Sequence, residues 1–204
     1  MPTLTLPPAP PTANNGPRPL AIRWTAEQFN RMAGMGWFEG RRPFLLDGVI
    51  WEQGPMDPPH ASALYLTNEA IRAIFGTGWV VRVQMPLTVD EFNDPLPDLA
   101  VVSGGPRDFA TKHPSTASLV IEVSDTTLTT DITEKAERYA TAGVADYWVL
   151  DLVNRRLLVR RDPAPLPAGL GATAYRTQNT FGPTERVSPL SAPHASILVS
   201  DLLP

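Results

Sequence analysis

Two apolar runs, SLVIEVSD (Ser118–Asp125) and ADYWVLDL (Ala145–Leu152), flank a stretch with helical punctuation. Strands joined by a helical crossover lie parallel in one sheet, and the connection is right-handed in nearly all proteins. Between the runs, Asp131 and Glu134 stand at capping-box spacing, and Gly143 falls where a left-handed residue ends a helix. A helix from about Asp131 to Ala142 is predicted. One residue of the first strand is out of place. Glu122 sits between Ile121 and Val123, and a carboxylate drawn among apolar groups loses hydration worth several kcal/mol. It needs a partner charge, a set of hydrogen-bond donors or a metal ion.

Upstream, TAEQFNRM opens on the N-cap-type Thr25 and reads as a short helix. PFLLDGVIWEQ gives two extended runs around Asp47-Gly48, a hairpin turn pair, and Pro55, Pro58 and Pro59 end it. Leu64, Ile71, Ile74 and Phe75 recur at helical spacing, which predicts a helix from His60 to Phe75 stopped by Gly76 and Gly78. WVVRVQMPLTV and PDLAVVS are predicted strands separated by the turn-rich Asp90–Pro97, and Gly104–Ala117 a loop. Downstream, ADYWVLDL and RRLLVRR form a hairpin through Asn154, TAYRTQNTF is a further strand, and the closing ERVSPLSAPHASILVSDLLP is apolar enough to pack. The early strands form an antiparallel meander, so the sheet is mixed. The fold class is α/β (α+β), a central mixed sheet flanked by helices.

Residues 1–19, MPTLTLPPAPPTANNGPRP, hold seven of the 23 prolines and no continuous apolar block, and read as a flexible tail. Residues 20–204 then make a single domain. No apolar run approaches the ~20 residues of a membrane helix. A net charge of −4 and a pI near 5.4 argue against a broad basic surface that clamps many phosphates. Arginine pairs at 41–42, 155–156 and 160–161 are either local phosphate contacts or solvated strand ends. With no cysteine there is no disulfide, thiolate zinc site or thiol nucleophile, and a cytoplasmic location is expected.

Alternation puts Leu119, Ile121 and Val123 on one face of their strand and Ser118, Val120, Glu122 and Ser124 on the other. Alone, Glu122 reads as a rim residue. Asp98, however, begins the apolar strand just before it, directly after Pro97. Carboxylates on neighbouring strands repel unless one is protonated or a cation lies between them. Without thiolates, the natural guest is a hard divalent ion, Mg2+ or Mn2+. Lys135 lies in the first turn of the predicted helix, four residues after Asp131. That spacing equally describes a surface ion pair.

Pro97-Asp98, Glu122-Val123-Ser124-Asp125, Asp131, Lys135 and YATAGVADYWVLDL, with LLDGVIWEQGPMDPPH upstream, resemble the Uma-type restriction endonucleases of the PD-(D/E)XK nuclease superfamily. The resemblance runs from about residue 20 to the end. It implies a restriction-endonuclease-like core in which Asp98 and Glu122 bind Mg2+ (or Mn2+). It also implies that Lys135 orients the attacking water or stabilises transition-state charge during phosphodiester hydrolysis in nucleic acid, expected to be DNA. The superfamily commonly has its lysine two residues after the strand acid; here that position is Ser124, and the following helix supplies Lys135 instead. Glu52 and His60 match the upstream pattern as auxiliary residues of the same cleft, although His60 equally reads as a helix cap. His113 and His194 show no ligand spacing, and Glu69 reads as a partner of Arg72. A homodimer would suit cutting of both strands. Two other readings stand beside the nuclease. One is an inactive nuclease scaffold binding nucleic acid or a protein partner. The other is a two-carboxylate glycosidase, which lacks an aromatic-lined sugar site.

Overall fold

The computed structural model describes residues 21–204 except Gly169 and Gly171. The tail expected over residues 1–19 lies outside the described residues. The order is α1 (Ala26–Gly34), β1 (Pro43–Leu46), β2 (Val49–Glu52), α2 (Pro58–Ile74), β3 (Trp79–Val83), β4 (Leu99–Ser103), β5 (Leu119–Ser124), α3 (Leu128–Ile132) and α4 (Glu134–Thr141). Then follow β6 (Asp146–Asp151), β7 (Arg156–Pro165), β8 (Thr173–Phe181), β9 (Arg186–Val187) and β10 (Ile197–Leu198). Strands β3 to β8 form one six-stranded sheet in sequence order. Every neighbouring pair is antiparallel except β5 and β6, which run parallel with Glu122 beside Val149. The mixed sheet is thus present, and its parallel pair is the one joined by helix.

Helices cover both faces. On one, α2 and the C-terminal segment, through Ile71, Val187, Ile197, Val199 and Leu202, close over Leu119, Ile121, Val123, Trp148 and Leu150. On the other, Ala136, Tyr139 and Ala140 of α4 close over Val120, Tyr147 and Val149. All six residues of β5 are buried. Its predicted alternation holds, but the face carrying Glu122 is no rim, because α4 lies on it. Among the described residues no helix is long and apolar enough to cross a membrane.

A third cluster sits beside the sheet, where Leu45 and Ile50 of the β1–β2 hairpin pack on Ala26, Phe29 and Met32 of α1. Thr25 caps α1 in a reciprocal capping box with Gln28. The hairpin turn is Asp47-Gly48, with Gly48 at φ +72°. A Cβ there would stand 2.6 Å from that of Arg23, so only glycine fits.

Three expectations fail at element ends. Pro58 and Pro59 begin α2, filling the first turn where an N–H is not needed, and Asp57 caps it by accepting the His60 N–H. The strand predicted to reach Val89 stops at Val83, because Gln84 adopts φ +49° and Pro86 follows. The helix predicted from Asp131 to Ala142 is two helices broken at Thr133 (φ −117°, ψ −85°), and Asp131 lies inside the first rather than capping the second.

Two other acids of the core are fully answered by protein. Asp146 accepts from the Trp148 indole, the Arg161 guanidinium and the Leu190 N–H, and Asp151 from Asn154 and Arg156. Removing one side of such a buried pair leaves an unpaired charge, at a cost of about 3–5 kcal/mol. Asp146→Ala should therefore lower the urea midpoint strongly, whereas Asp162→Ala, which breaks an exposed pair with Arg176, should leave it nearly unchanged.

Candidate active site

Strand register brings the two acids together. β4 pairs with β5 as Leu99 opposite Ile121, and one step further sets Asp98 across from Glu122. Pro97 ends the preceding loop there, and the Val123 N–H donates to Asp98 Oδ2 at 2.9 Å. Gln84 Nε2 donates to Asp98 Oδ1 at 3.0 Å, and His60 Nε2 lies 3.3 Å from that same oxygen. Burial pushes the Asp98 carboxyl up, but the His60, Gln84 and Val123 donors outweigh it and hold the group below the usual carboxylate range. The Asp98 hydrogen bond in turn raises His60 against the opposing effect of its burial.

Glu122 is in a harsher place. Its side chain is 2% exposed, Tyr139 donates to Oε1 at 2.8 Å, and Lys135 Nζ stands 3.2 Å from Oε2. Burial is the main cause that lifts its carboxyl to about 8, aided by Asp131 and Asp98 and opposed by Lys135 and Tyr139. Lys135 Nζ also lies 2.8 Å from Asp131 Oδ1, and Asp131 is 1% exposed. This pair is buried, so the reading as a surface ion pair is wrong. Burial alone would lower the Lys135 pKa; Glu122 and Asp131 together hold it above its ordinary value. Lys135 is an ammonium between two acids.

Below them, Tyr139 packs on Tyr147 at 5.1 Å between ring centroids, and Tyr147 stacks on Tyr175 at 5.9 Å. Tyr147 donates to the Asp131 carbonyl at 2.7 Å, and Arg160 to that of Ile132 at 2.7 Å. The Thr127 hydroxyl donates to Asp131 Oδ2 at 2.7 Å. With its carboxylate committed to Thr127 and Lys135, Asp131 has none left to cap α4.

A cavity of about 340 Å³ has Asp98, Glu122, Lys135, Glu52 and His60 in its wall. All five sequence-selected residues therefore meet in one place, in unequal situations. Glu52 is paired with Arg41 at 3.1 Å and half exposed, and the His60 ring faces Asp98 while Asp57 does the capping. The His60 N–H holds the Asp57 carboxyl below the usual carboxylate range, and the neighbouring Asp57 pushes Asp125 up. The remaining candidates lie elsewhere. Glu69 is exposed, and Arg72 turns to Asn68 and the Val81 carbonyl instead; His113 meets Arg82.

Sequence reasoning missed Tyr139 and Gln84. Asp131, Lys135 and Tyr139 recur every four residues, a one-face spacing that would have pointed to Tyr139. Gln84 carries no such signal. Its left-handed backbone, strained by about 1 kcal/mol or more in a non-glycine residue, aims its amide at Asp98.

The donor set suits a hard divalent cation. Asp98, Glu122 and Asp131 set three carboxyl groups beside one ammonium and the His60 ring, and with Glu122 lifted to about 8 the cluster is short of positive charge once Glu122 ionises. Asp98 Oδ2 and the two Glu122 oxygens each meet one donor and keep a second lone pair. Among the described residues no three histidine, aspartate or glutamate side chains are arranged to hold a metal by themselves. Two carboxylates are what Mg2+ uses when water and phosphate complete its shell.

A central mixed sheet with helices on both faces, and two acids meeting where adjacent strands abut, defines an α/β fold that a solved structure shares. A solved structure described as a putative nuclease belonging to DUF820 from Anabaena variabilis ATCC 29413 superimposes on it with a TM-score of 0.58. The alignment has 16% identity and covers 78% of this chain and 88% of that one. The model of the Uma2 family, described as "Putative restriction endonuclease", matches residues 26–200, and the chain belongs to that family. No curated protein matches the chain.

The raised Glu122 carboxyl has a stability consequence. Its folded value lies above the ordinary 4.5, so its contribution to the metal-free fold is complete below that pH and is lost as pH rises toward 8. Glu122→Gln, which cannot ionise, should melt higher than the parent protein at about pH 8, and the difference should shrink toward about pH 5. Thermal melting in EDTA measures it; a difference independent of pH would contradict the assignment.

Proposed function

We propose that the protein is a divalent-metal-dependent endonuclease that hydrolyses phosphodiester bonds in DNA, with Asp98 and Glu122 as metal ligands and Lys135 as the catalytic cation. The observation that carries this reading is the charge imbalance at Glu122. Asp98, Glu122 and Lys135 meet at the cavity wall, Lys135 is shared with the buried Asp131, and Glu122 is left without a cation of its own. Membership of a nuclease family supplies the reaction class.

Each side chain then has a task. Mg2+ or Mn2+ would be held by Asp98 and Glu122, and it supplies Lewis acidity to the scissile phosphate and to a nearby water. The three donors on Asp98 keep that carboxylate ionised and fixed in direction. Tyr139 fixes Glu122 from the core side, and Asp131 holds the Lys135 stem so that its ammonium stays at the cavity wall. From there Lys135 orients the attacking water or offsets negative charge growing on the phosphate. The water oxygen bonds to phosphorus as the ester P–O bond breaks, leaving a phosphomonoester and a hydroxyl.

Purified protein should nick supercoiled plasmid with Mg2+ or Mn2+ and stop in EDTA. Asp98→Ala and Glu122→Ala should fall to background, Lys135→Ala should lose on the order of a hundredfold, and Tyr139→Phe about tenfold. Equal activity in the parent protein and the Asp98, Glu122 and Lys135 variants would remove the site. Mg2+ at a hundredfold excess over its Kd should stabilise the parent protein by about 2.7 kcal/mol and neither acid variant. Stabilisation that survives loss of both acids would refute the metal assignment. A folded parent protein inert on every nucleic acid would favour a binding scaffold.

A further inference from the structure

The β1–β2 hairpin has two apolar faces; one packs on α1, and on the other Leu46 is buried while Trp51 is left half bare. Leu45 and Ile50 pack on α1. Cross-strand pairs share a face, so Phe44 and Trp51, paired in the ladder, point together to the other side, as do Leu46 and Val49. Phe44, Leu46 and Trp51 line the cavity that holds Asp98 and Glu122, and Trp51 is 51% exposed. A half-bare indole in the wall of an acidic cavity has no packing role to explain it.

The hairpin is also fixed relative to the acids. Arg42, next to β1, donates to Gln84 Oε1 at 2.7 Å, and Gln84 donates to Asp98. At the turn, Asp47 is paired with Arg138 of α4 at 2.9 Å. Trp51 therefore stands at a set place beside the acids.

Depth and size limit what can reach those acids. Asp98 and Glu122 are 3% and 2% exposed. The cavity of about 340 Å³ is at the small end of ligand pockets, roughly 300–1,000 Å³. A duplex about 20 Å across cannot enter such a space, and its phosphates follow a stiff, stacked backbone. A net charge of −4 supplies no broad basic surface to bind a duplex from outside. A strand that has left the duplex can bring one phosphate inward, and its unstacked base then needs an aromatic face.

We propose that the cavity takes an unpaired nucleotide of single-stranded or locally opened DNA, its base stacked on the Trp51 indole while the adjoining phosphate reaches Asp98 and Glu122. This rests on the nuclease reading above and adds the substrate class. Arg41, exposed beside the hairpin and paired with Glu52, is a cation available for a flanking phosphate.

The test is fluorescence anisotropy of a labelled single-stranded oligodeoxynucleotide and of its blunt duplex, in Ca2+ and in Mg2+, with hydrolysis scored separately on gels. The single strand should bind at least tenfold tighter than the duplex. Trp51→Ala should lose about tenfold of that affinity and Trp51→Phe should keep most of it, the stacking surface being what matters. Melting of both variants should match the parent protein, which separates stacking from misfolding. Equal or tighter duplex binding, no binding to either probe, or a Trp51→Ala variant with unchanged single-strand affinity would overturn the proposal. Trp51-dependent single-strand binding without hydrolysis of any substrate would support it and refute the nuclease reading. Hydrolysis indifferent to Trp51 would do the reverse.

Discussion

Lys135 Nζ stands 3.2 Å from Glu122 and 2.8 Å from Asp131, and it is the cation around which the buried middle of the sheet is arranged. β5 is buried on both faces, by α2 and the C-terminal segment on one and by α4 on the other. A carboxylate on such a strand must be neutralised from the covering layer, and α4 supplies the cation. The local architecture follows from that demand. The chain breaks at Thr133, the tyrosines stack beneath, and Tyr147 and Arg160 donate to carbonyls at the end of α3. The buried acids and these carbonyls are answered by donors from α4, β6 and β7, as burial requires.

The two acids facing each other across β4 and β5 are driven in opposite directions. Asp98 accepts from three donors and is held low; Glu122 accepts from one hydroxyl and one shared ammonium and is lifted to about 8. Groups separated in this way mark sites where a charge is to be added or moved. The difference comes from the backbone. Asp98 sits at a strand end, where the Val123 N–H and the left-handed Gln84 are within reach, whereas Glu122 is mid-strand with its own main chain committed to the ladders.

What could be read from the sequence was what periodicity and punctuation encode. The β5–helix–β6 unit, the Asp47-Gly48 hairpin and the Thr25 cap depend on residues within a few positions of one another. Asp98 and Glu122 stood out because charges in apolar runs violate that local pattern, whereas Lys135, whose spacing alone reads as a surface pair with Asp131, was singled out by the family resemblance. The unread parts depend on neighbours distant in sequence. Gln84 becomes an Asp98 donor only through its positive φ, and Asp131, read as a cap, lies inside α3 with Thr127 and Lys135 as its partners. Pro58 and Pro59 were read as terminators, since proline ends one element and begins the next with equal ease. Buried acids in general were no guide, because sequence does not show which arginine will face them.

Asp146 and Asp151 make that last point. They occupy β6, the strand paired with β5, and are as buried as Glu122. Each meets an arginine, Arg161 and Arg156, delivered by the antiparallel partner β7 in direct register. Their charge is cancelled within the sheet, so they stabilise it and have nothing to offer a ligand. Glu122 is flanked in the sheet by Val149 and by the segment carrying Asp98, neither of which brings a cation. Among the described residues the cation in contact with it is Lys135, which is shared with Asp131. The same chemical group on adjacent strands is thus structural where the register supplies an arginine. Where it does not, the unbalanced charge remains at the wall of the cavity.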